Sequence, residues 1–493
     1  MPTKNPLLTF LLACVVSVML WPTGAAAASE QRLDREAIDG WVRDYAGRHG
    51  LPAAAVAVVK DGQTVHTTAV GTIRGTEAVT DRTPMAIGSV SKTMTAFAVL
   101  QLVDRGELAL DDPVRTHLPE FAVDDARVGD VTVRHLLSHT SGLPNPVLVP
   151  PAGSLEQAVA NIGETTLASD PGAAYAYSNL NYWTAARLVE VVSGRTFAEY
   201  LEAHVFQPLG MTDTHAVVRS GAAVAGMEDG HVTAYGLALP LREMAAVVGG
   251  SGGVVSTARD MGRWLGMYQR GGVAEDGSRL LSEQLVEESL RRQPGARTYG
   301  LGWQHTSTAD PARVGHDGSL TRYSARADLV ASSGYGVVVL LNSYTPTYQH
   351  PFSLSTGVIE VTEGSAPTVG APVATLIDAA VGVLTVGALG LLVLGVRRSR
   401  AWTEKRRGHP TWRFALRLLP QLLVVTAVAG VYFVLPRVNA NEATPVDAFG
   451  LWPAAMTLLL VAGTGSTCLV LARVWQRTRS GRPPRGRPTP APS

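Results

Sequence analysis

Three apolar stretches near the C-terminus, 373–396, 414–436 and 448–472, constrain this 493-residue chain more than any other feature. Each reaches the ~20 residues that a helix needs to cross the hydrocarbon of a bilayer. The alternative is three buried helices of a soluble core. Arginine clusters bound the runs, however, and the runs themselves carry only Asp378 and Arg417, both near ends where a side chain can snorkel to the interface. Three transmembrane helices are therefore predicted, joined by loops at 397–413 and 437–447.

The charge pattern orients them. Residues 397–417 hold eight Arg and Lys against Glu404, and 473–493 hold six Arg and no acid, although the whole chain is only +1. Basic segments resist translocation, which places the 397–413 loop and the 473–493 tail in the cytoplasm and the 437–447 loop outside. The rest of the chain is then strongly acidic, which speaks against a nucleic-acid partner. The tail is suited to touching anionic membrane lipid.

The N-terminus agrees with this orientation. Residues 1–28 read as a signal peptide, with Lys4 as the basic region, Leu7 to Trp21 as the apolar region and Ala26 to Ala28 as the cleavage site. Leu11-Leu12-Ala13-Cys14 is like a lipoprotein box, but its apolar run continues past Cys14, so lipidation is the weaker reading. Residues 29–365 are exported and reach the membrane through a linker at 366–372. With no cysteine between Cys14 and Cys468, they enter an oxidising compartment without forming disulfides. The expected location is the cell membrane, multi-pass, with this domain outside.

Within 29–365 the hydrophobic pattern predicts a helix over 31–49 and a hairpin of Ala53–Val59 with Thr64–Val70, turned at Lys60-Asp61-Gly62. Helices are predicted around 90–105, 132–138, 179–193, 196–205 and 257–270. Late strands include Leu329 and Val337–Leu341. Strands at both ends with helices between imply an α+β fold whose termini share one sheet.

Three short motifs could carry chemistry. In Ser89-Val90-Ser91-Lys92 a hydroxyl and an amine three residues apart share one helix face, so the amine can take the proton as the oxygen attacks. The bland reading is a helix cap beside a surface lysine, but the chain has only four Lys against 38 Arg, so chance matches are few. Tyr177-Ser178-Asn179 offers a phenol whose pKa a neighbouring ammonium would lower, and an amide to orient a substrate. Alone it reads better as a turn tyrosine and a cap. His316-Asp317-Gly318-Ser319 would let a substrate approach the backbone at Gly318, with the following N–H completing an oxyanion hole. Alone it reads as a turn.

Together, in this order, the three motifs resemble the class C β-lactamase and D-alanyl-D-alanine carboxypeptidase family of serine hydrolases, which carries S-x-x-K, Y-x-N and K/H-x-G. The similarity extends to IGSVSKTMTA, LLSHTSGLP, YSNLNYWTAARLVEVVSGRTFAEY, PLGMTDT, GGVVSTARDM, YGLGW and GHDGS, and covers roughly 35–345. It implies an antiparallel sheet flanked by helices plus a helical lobe. It also implies Ser89 as acylated nucleophile, Lys92 as proton acceptor and Tyr177 as acid and base. Asn179 would hold the substrate amide and Lys92, the backbone N–H groups of Ser89 and Ser319 would form the oxyanion hole, and His316 the back wall. No metal or cofactor is implied.

Two positions depart from the family pattern. Asp317 stands where Thr or Ser is common in enzymes that hold a substrate carboxylate, and Arg322-Tyr323 replaces a Gly before an aromatic; both bear on β-lactam turnover. Asp317 would repel a substrate carboxylate, which is the favoured expectation; the alternative is that it points away or is neutralised by Arg322, which could itself receive the carboxylate. Other patterns are weaker. Gly249-Gly250-Ser251-Gly252-Gly253 matches G-x-S-x-G, but with four glycines it reads as a loose loop, and His135 with His139 at i, i+4 lacks a third zinc ligand, so a core or capping role is the reading favoured for the pair. The expectation is an exported, membrane-anchored serine hydrolase acting on a cell-wall peptide or another small amide or ester. The alternatives are an esterase or D-aminoacyl peptidase on the same scaffold, and a catalytically weak wall sensor.

Overall fold

The computed structural model describes residues 33–73, 75–146, 152–434 and 444–480. The predicted signal peptide with Cys14, most of the 437–447 loop and the end of the basic tail lie outside these residues. Helix α1, Arg35–His49, leads into strands β1, Ala53–Lys60, and β2, Gln63–Ile73. Their turn places Asp61 and Gly62 at φ 49° and 85°. The chain then passes through helices α2, Ser91–Asp104, α3, Asn179–Ser193, and α4, Ala258–Gln269. It returns as strands β3, Gln304–Thr306, β4, Arg313–Ser319, β5, Ser324–Val330, and β6, Tyr335–Leu341, and closes with helix α5, His350–Thr362.

These strands form one antiparallel sheet in the order β2-β1-β6-β5-β4-β3, with Glu77–Ala78 extending the β2 edge. The first and last long strands meet at its centre, Val56 opposite Val339 and Ala54 opposite Leu341, so the domain's termini share the sheet as the sequence predicted. β1 reads AAAVAVVK and is buried along its length up to Lys60. Small and β-branched residues suit a strand covered on both faces. Ala55, Ala57 and Val59 enter the main core with α2, α3 and α4. The alternate residues face α1 and α5, where Trp41 Nε1 donates to Leu354 O at 3.0 Å. The segment around His316 is strand β4 rather than a turn, because Val314 to Ser319 pair residue by residue with Leu329 to Ser324.

The predicted helices of the helical lobe are present, with short breaks. α3 stops at Gly194, φ 67°, and the predicted 196–205 helix is Phe197–Leu201 followed by a wider π turn, Glu202–Phe206.

Of the three predicted membrane helices, two are continuous. α6, Val373–Arg397, and α7, Pro453–Ser480, are long and apolar enough to cross a bilayer. The middle stretch is instead divided into Thr411–Leu416 and Leu419–Ala429, running on to Val434. Pro420 accounts for the break, since it cannot donate to the carbonyl of Leu416 and its ring crowds that oxygen. Along α7 the middle segment runs the opposite way: Phe414 lies at Arg477, Val428 at Gly463, and the Tyr432 hydroxyl donates to Met456 O. α6 runs with α7, since Asp378 accepts from Trp452 Nε1 near both starts and Gly395 lies at Leu469 near both ends. Asp378 does not snorkel. It is buried, and its second oxygen accepts from Tyr235 N at 2.9 Å.

Candidate active site

Ser89 lies in a 3₁₀ turn, Gly88–Val90, that runs directly into α2. N–H groups in a helix's first turn have no partner within the helix, so the Ser89 N–H is not consumed by α2. Two glycines bring β4 against this turn. Gly88 has φ +50°, and a Cβ there would lie 2.6 Å from Ser319 N; a Cβ on Gly318 would lie 1.9 Å from Ile87 O. The Ser319 backbone is thereby placed beside the turn that carries Ser89. Gly88→Ala combines a left-handed backbone with overlap against Ser319, and is expected to cost about 1–3 kcal/mol of stability. It should also slow fluorophosphonate labelling at least tenfold, which thermal unfolding and labelling kinetics would read separately.

Lys92 is fully buried, with Nζ 3.0 Å from Ser89 Oγ, 2.9 Å from Asn179 Oδ1 and 2.6 Å from the carbonyl of Ser251. Burial pushes its pKa well below the usual lysine range. A neutral amine fits these three neighbours, with two N–H bonds to Asn179 and Ser251 and the lone pair toward Ser89 Oγ. From the other side the Tyr177 hydroxyl donates to the same Oγ at 2.8 Å. Its pKa is raised by burial, which outweighs the bond to Ser89, rather than lowered as expected. The expected lowering assumed an ammonium at Lys92, and a depressed amine supplies none. The site can therefore take a proton from Ser89 at Lys92 while Tyr177 still holds its own.

Behind Tyr177 stands His139, fully buried, in the core role that the sequence favours over a zinc site. The His139 ring packs 4.4 Å from the Tyr177 ring, and its Nδ1 accepts from Asn181 Nδ2 at 3.1 Å and Ser178 N at 3.2 Å. These bonds hold the segment that carries Tyr177 and Asn179. The i, i+4 pairing with His135 fails because the helix ends at Leu137 and His139 has φ +58°. His135 instead caps that helix, its Nδ1 accepting from Thr132 N.

The Gly249–Gly253 segment is buried rather than loose. Its part in the site is the Ser251 carbonyl at Lys92, while Ser251 Oγ accepts from Trp183 Nε1 at 3.0 Å. No side-chain motif announces a backbone acceptor, so the sequence offered no signal for it.

His316 is buried against Tyr299. Nδ1 donates to the Asp317 carbonyl at 2.6 Å and Nε2 accepts from the Tyr299 hydroxyl at 2.8 Å. Burial, with Lys92 nearby, lowers its pKa to about 3, so it is neutral at ordinary pH. Asp317, the next residue on the strand, points to the opposite face, where its carboxylate pairs with Arg326 at 2.8 Å. Arg326 also pairs with buried Asp328 at 2.6 Å. The structure thus does not bring the Asp317 side chain to the cavity that Ser89 opens into. Nor does Arg322 present its guanidinium there, being buried and bonded to the carbonyls of Thr321 and Gly450. The cavity, of about 700 Å³, includes Ser89, Asn179 and Ser319, with Trp183, Leu320 and Leu451 among its apolar walls.

An antiparallel sheet flanked by helices, with a serine held between a buried lysine and a tyrosine, defines a serine hydrolase of the S-x-x-K type. The chain belongs to the beta-lactamase family, whose model, described as Beta-lactamase, matches residues 38–351. It is 33% identical over 321 residues to Penicillin-binding protein 4 of Amycolatopsis lactamdurans, covering 61% of this chain and 83% of that protein. It is 32% identical over 349 residues to Esterase EstB of Burkholderia gladioli, covering 60% and 85%. Among solved structures, the octameric penicillin-binding protein homologue from Pyrococcus abyssi is 23% identical with a TM-score of 0.58, covering 68% of this chain and 78% of that one. SurE is 26% identical with a TM-score of 0.55, covering 68% and 77%.

Proposed function

We propose that this protein is an exported, membrane-anchored hydrolase that forms an acyl-enzyme at Ser89 with an amide or ester outside the cytoplasmic membrane, a cell-wall peptide being the natural substrate. The observation that carries the reading is Ser89 Oγ held 3.0 Å from Lys92 Nζ and 2.8 Å from Tyr177 Oη. As Oγ attacks the substrate carbonyl, Lys92 accepts its proton and the N–H groups of Ser89 and Ser319 stabilise the oxyanion. Tyr177 donates its proton to the leaving amine or alkoxide and recovers one from Lys92. In deacylation Tyr177 passes its own proton to the neutral amine of Lys92 as it takes one from the attacking water, and Lys92 returns a proton to Ser89 Oγ as the ester bond to it breaks, so both groups end as they began. Asn179 orients Lys92 and the substrate amide, and His316 with Tyr299 forms the wall behind them. Intact-protein mass spectrometry after exposure to a fluorophosphonate and to a penicillin tests this: a single adduct on Ser89 supports the reading, and absence of adduct with both reagents refutes it.

An esterase is the second reading. It is favoured by the likeness to Esterase EstB and by the burial of Arg322, which leaves that guanidinium unable to receive a substrate carboxylate. A neutral ester turned over faster than a free-carboxylate peptide would select it.

The three-pass topology belongs to the same proposal. It is supported by the reversed course of the middle segment and by arginines gathered at one end of the bundle, where Arg473 stacks on Trp402 and Arg477 donates to the carbonyls of Arg406 and His409. Positive charge there favours the cytoplasmic side for that end. In a Cys468→Ser background, a cysteine at exposed Arg400 is expected to resist a membrane-impermeant maleimide in intact cells and to react after lysis. Labelling from outside would reverse the orientation.

A further inference from the structure

The turn between the middle membrane segment and α7 does more than join two helices. Leu451, two residues before α7 begins at Pro453, lines the same cavity as Ser89. Three contacts fix it there. The fully buried Arg322 guanidinium, on the loop that follows β4, donates to the Gly450 carbonyl at 3.0 Å. It reaches that oxygen because residue 450 is glycine, since a Cβ there would lie 2.3 Å from Arg322 Nη2. Trp452 Nε1 donates to Asp378 near the start of α6, at 3.0 Å, and the other oxygen of Asp378 accepts from Tyr235 N. Arg322 and Asp378 therefore tie the hydrolase domain, the turn and α6 together on both sides of Leu451.

The neighbouring surface has the character of a membrane interface. The hairpin of His231–Ala234 and Leu237–Pro240 carries Tyr235, 41% exposed, and Leu237, 65% exposed, beside the first turns of α6. A tyrosine and an exposed leucine at the end of a membrane helix suit the headgroup level. Leu451 in the cavity wall is thus two residues from the start of α7.

We propose that Leu451 is a specificity-determining residue of the active site, and that the cavity takes an acyl donor bearing an apolar chain presented from the membrane surface. The proposal rests on the reading that Ser89 is the nucleophile and that α6 and α7 span the membrane, and it follows the esterase reading rather than the cell-wall peptide. The helical bundle is then part of the substrate site as well as its anchor, and Trp452 is a positioning residue acting through the turn. A substrate in this cavity can keep its tail in the bilayer while its carbonyl reaches Ser89, which avoids the cost of drawing apolar surface into water.

The test uses the full chain in detergent with p-nitrophenyl acetate and p-nitrophenyl octanoate, and reads the ratio of kcat/KM for the long over the short ester. Leu451→Trp fills the wall and should lower the ratio about tenfold, the usual scale for methylene-sized changes in an apolar pocket. Leu451→Ala opens it and should move the ratio in the opposite direction from Leu451→Trp, with the change in KM. Trp452→Phe, which keeps the ring and loses the N–H to Asp378, should move the ratio by at least threefold. Ratios within twofold of wild type in both Leu451 variants would overturn the proposal, as would equal losses on both esters. Failure of the underlying reading looks different: octanoate hydrolysis that persists in Ser89→Ala removes the nucleophile, whatever Leu451 does.

Discussion

Ser89→Ala is expected to abolish covalent labelling by fluorophosphonates and to lower turnover by 10⁴ or more, on the order of what removing a nucleophile costs other serine hydrolases. The size of the effect follows from the geometry. Lys92 and Tyr177 both direct their polar atoms at one oxygen, and no other hydroxyl lies between a buried amine and a phenol in this way among the described residues. Ser251 is the informative control. Its Oγ faces Trp183 Nε1 and its contribution to Lys92 is a backbone carbonyl, which survives truncation of the side chain. Ser251→Ala should therefore retain labelling while losing about 1–3 kcal/mol of stability, because the indole N–H is left without its acceptor. Labelling that survived Ser89→Ala and vanished with Ser251→Ala would move the nucleophile to the glycine-rich loop.

Much of this site is legible in the sequence because its chemistry depends on side chains at short spacings. Ser89 and Lys92 meet through one helical turn, and Tyr177 and Asn179 reach them from the segment that opens α3. What is not legible depends on strand parity and backbone. His316 and Asp317 are adjacent in the motif, yet a strand sends alternate side chains to opposite faces, so Asp317 joins Arg326 and Asp328 behind the sheet. An Asp317 that points away is the alternative reading, and the pairing of β4 with β5 is what decides for it. The Ser251 carbonyl and the packing of His139 under Tyr177 leave no signature, because backbone acceptors and ring contacts follow from tertiary placement. The fold was readable for a related reason: β1 and β6 are continuous apolar runs, the mark of strands buried on both faces, and only a shared central position satisfies both. The middle of the three C-terminal apolar segments shows the reverse case. Its composition is that of a spanning helix, while Pro420, a single residue, divides it.

The pH dependence of acylation follows from the same burial that positions Lys92. In the proposed mechanism the reactive form has Lys92 neutral and Tyr177 protonated, so kcat/KM should rise with pH as Lys92 loses its proton. Because desolvation lowers that pKa, the midpoint should lie well below the ~10.4 of an exposed lysine. His316 is neutral above about 3 and buried His139 is likewise shifted down, so neither supplies a limb near neutrality. On the alkaline side, burial raises the Tyr177 pKa, and the profile should stay flat through the region near 10 where an exposed tyrosine would ionise. Lys92 and Tyr177 share one hydroxyl, so the observed midpoint belongs to the pair. Lys92→Arg replaces a group that can be neutral with a permanent cation. It should lose about 10²–10⁴ in rate and lose the acid limb with it. Tyr177→Phe should lose a similar factor yet keep a limb, since the amine remains. Stopped-flow acylation by a chromogenic ester from pH 5 to 10.5 distinguishes these shapes. A rise with pH that persists in Lys92→Arg and disappears in Tyr177→Phe would make the phenol, rather than the amine, the group that titrates, and Tyr177 would then take the Ser89 proton.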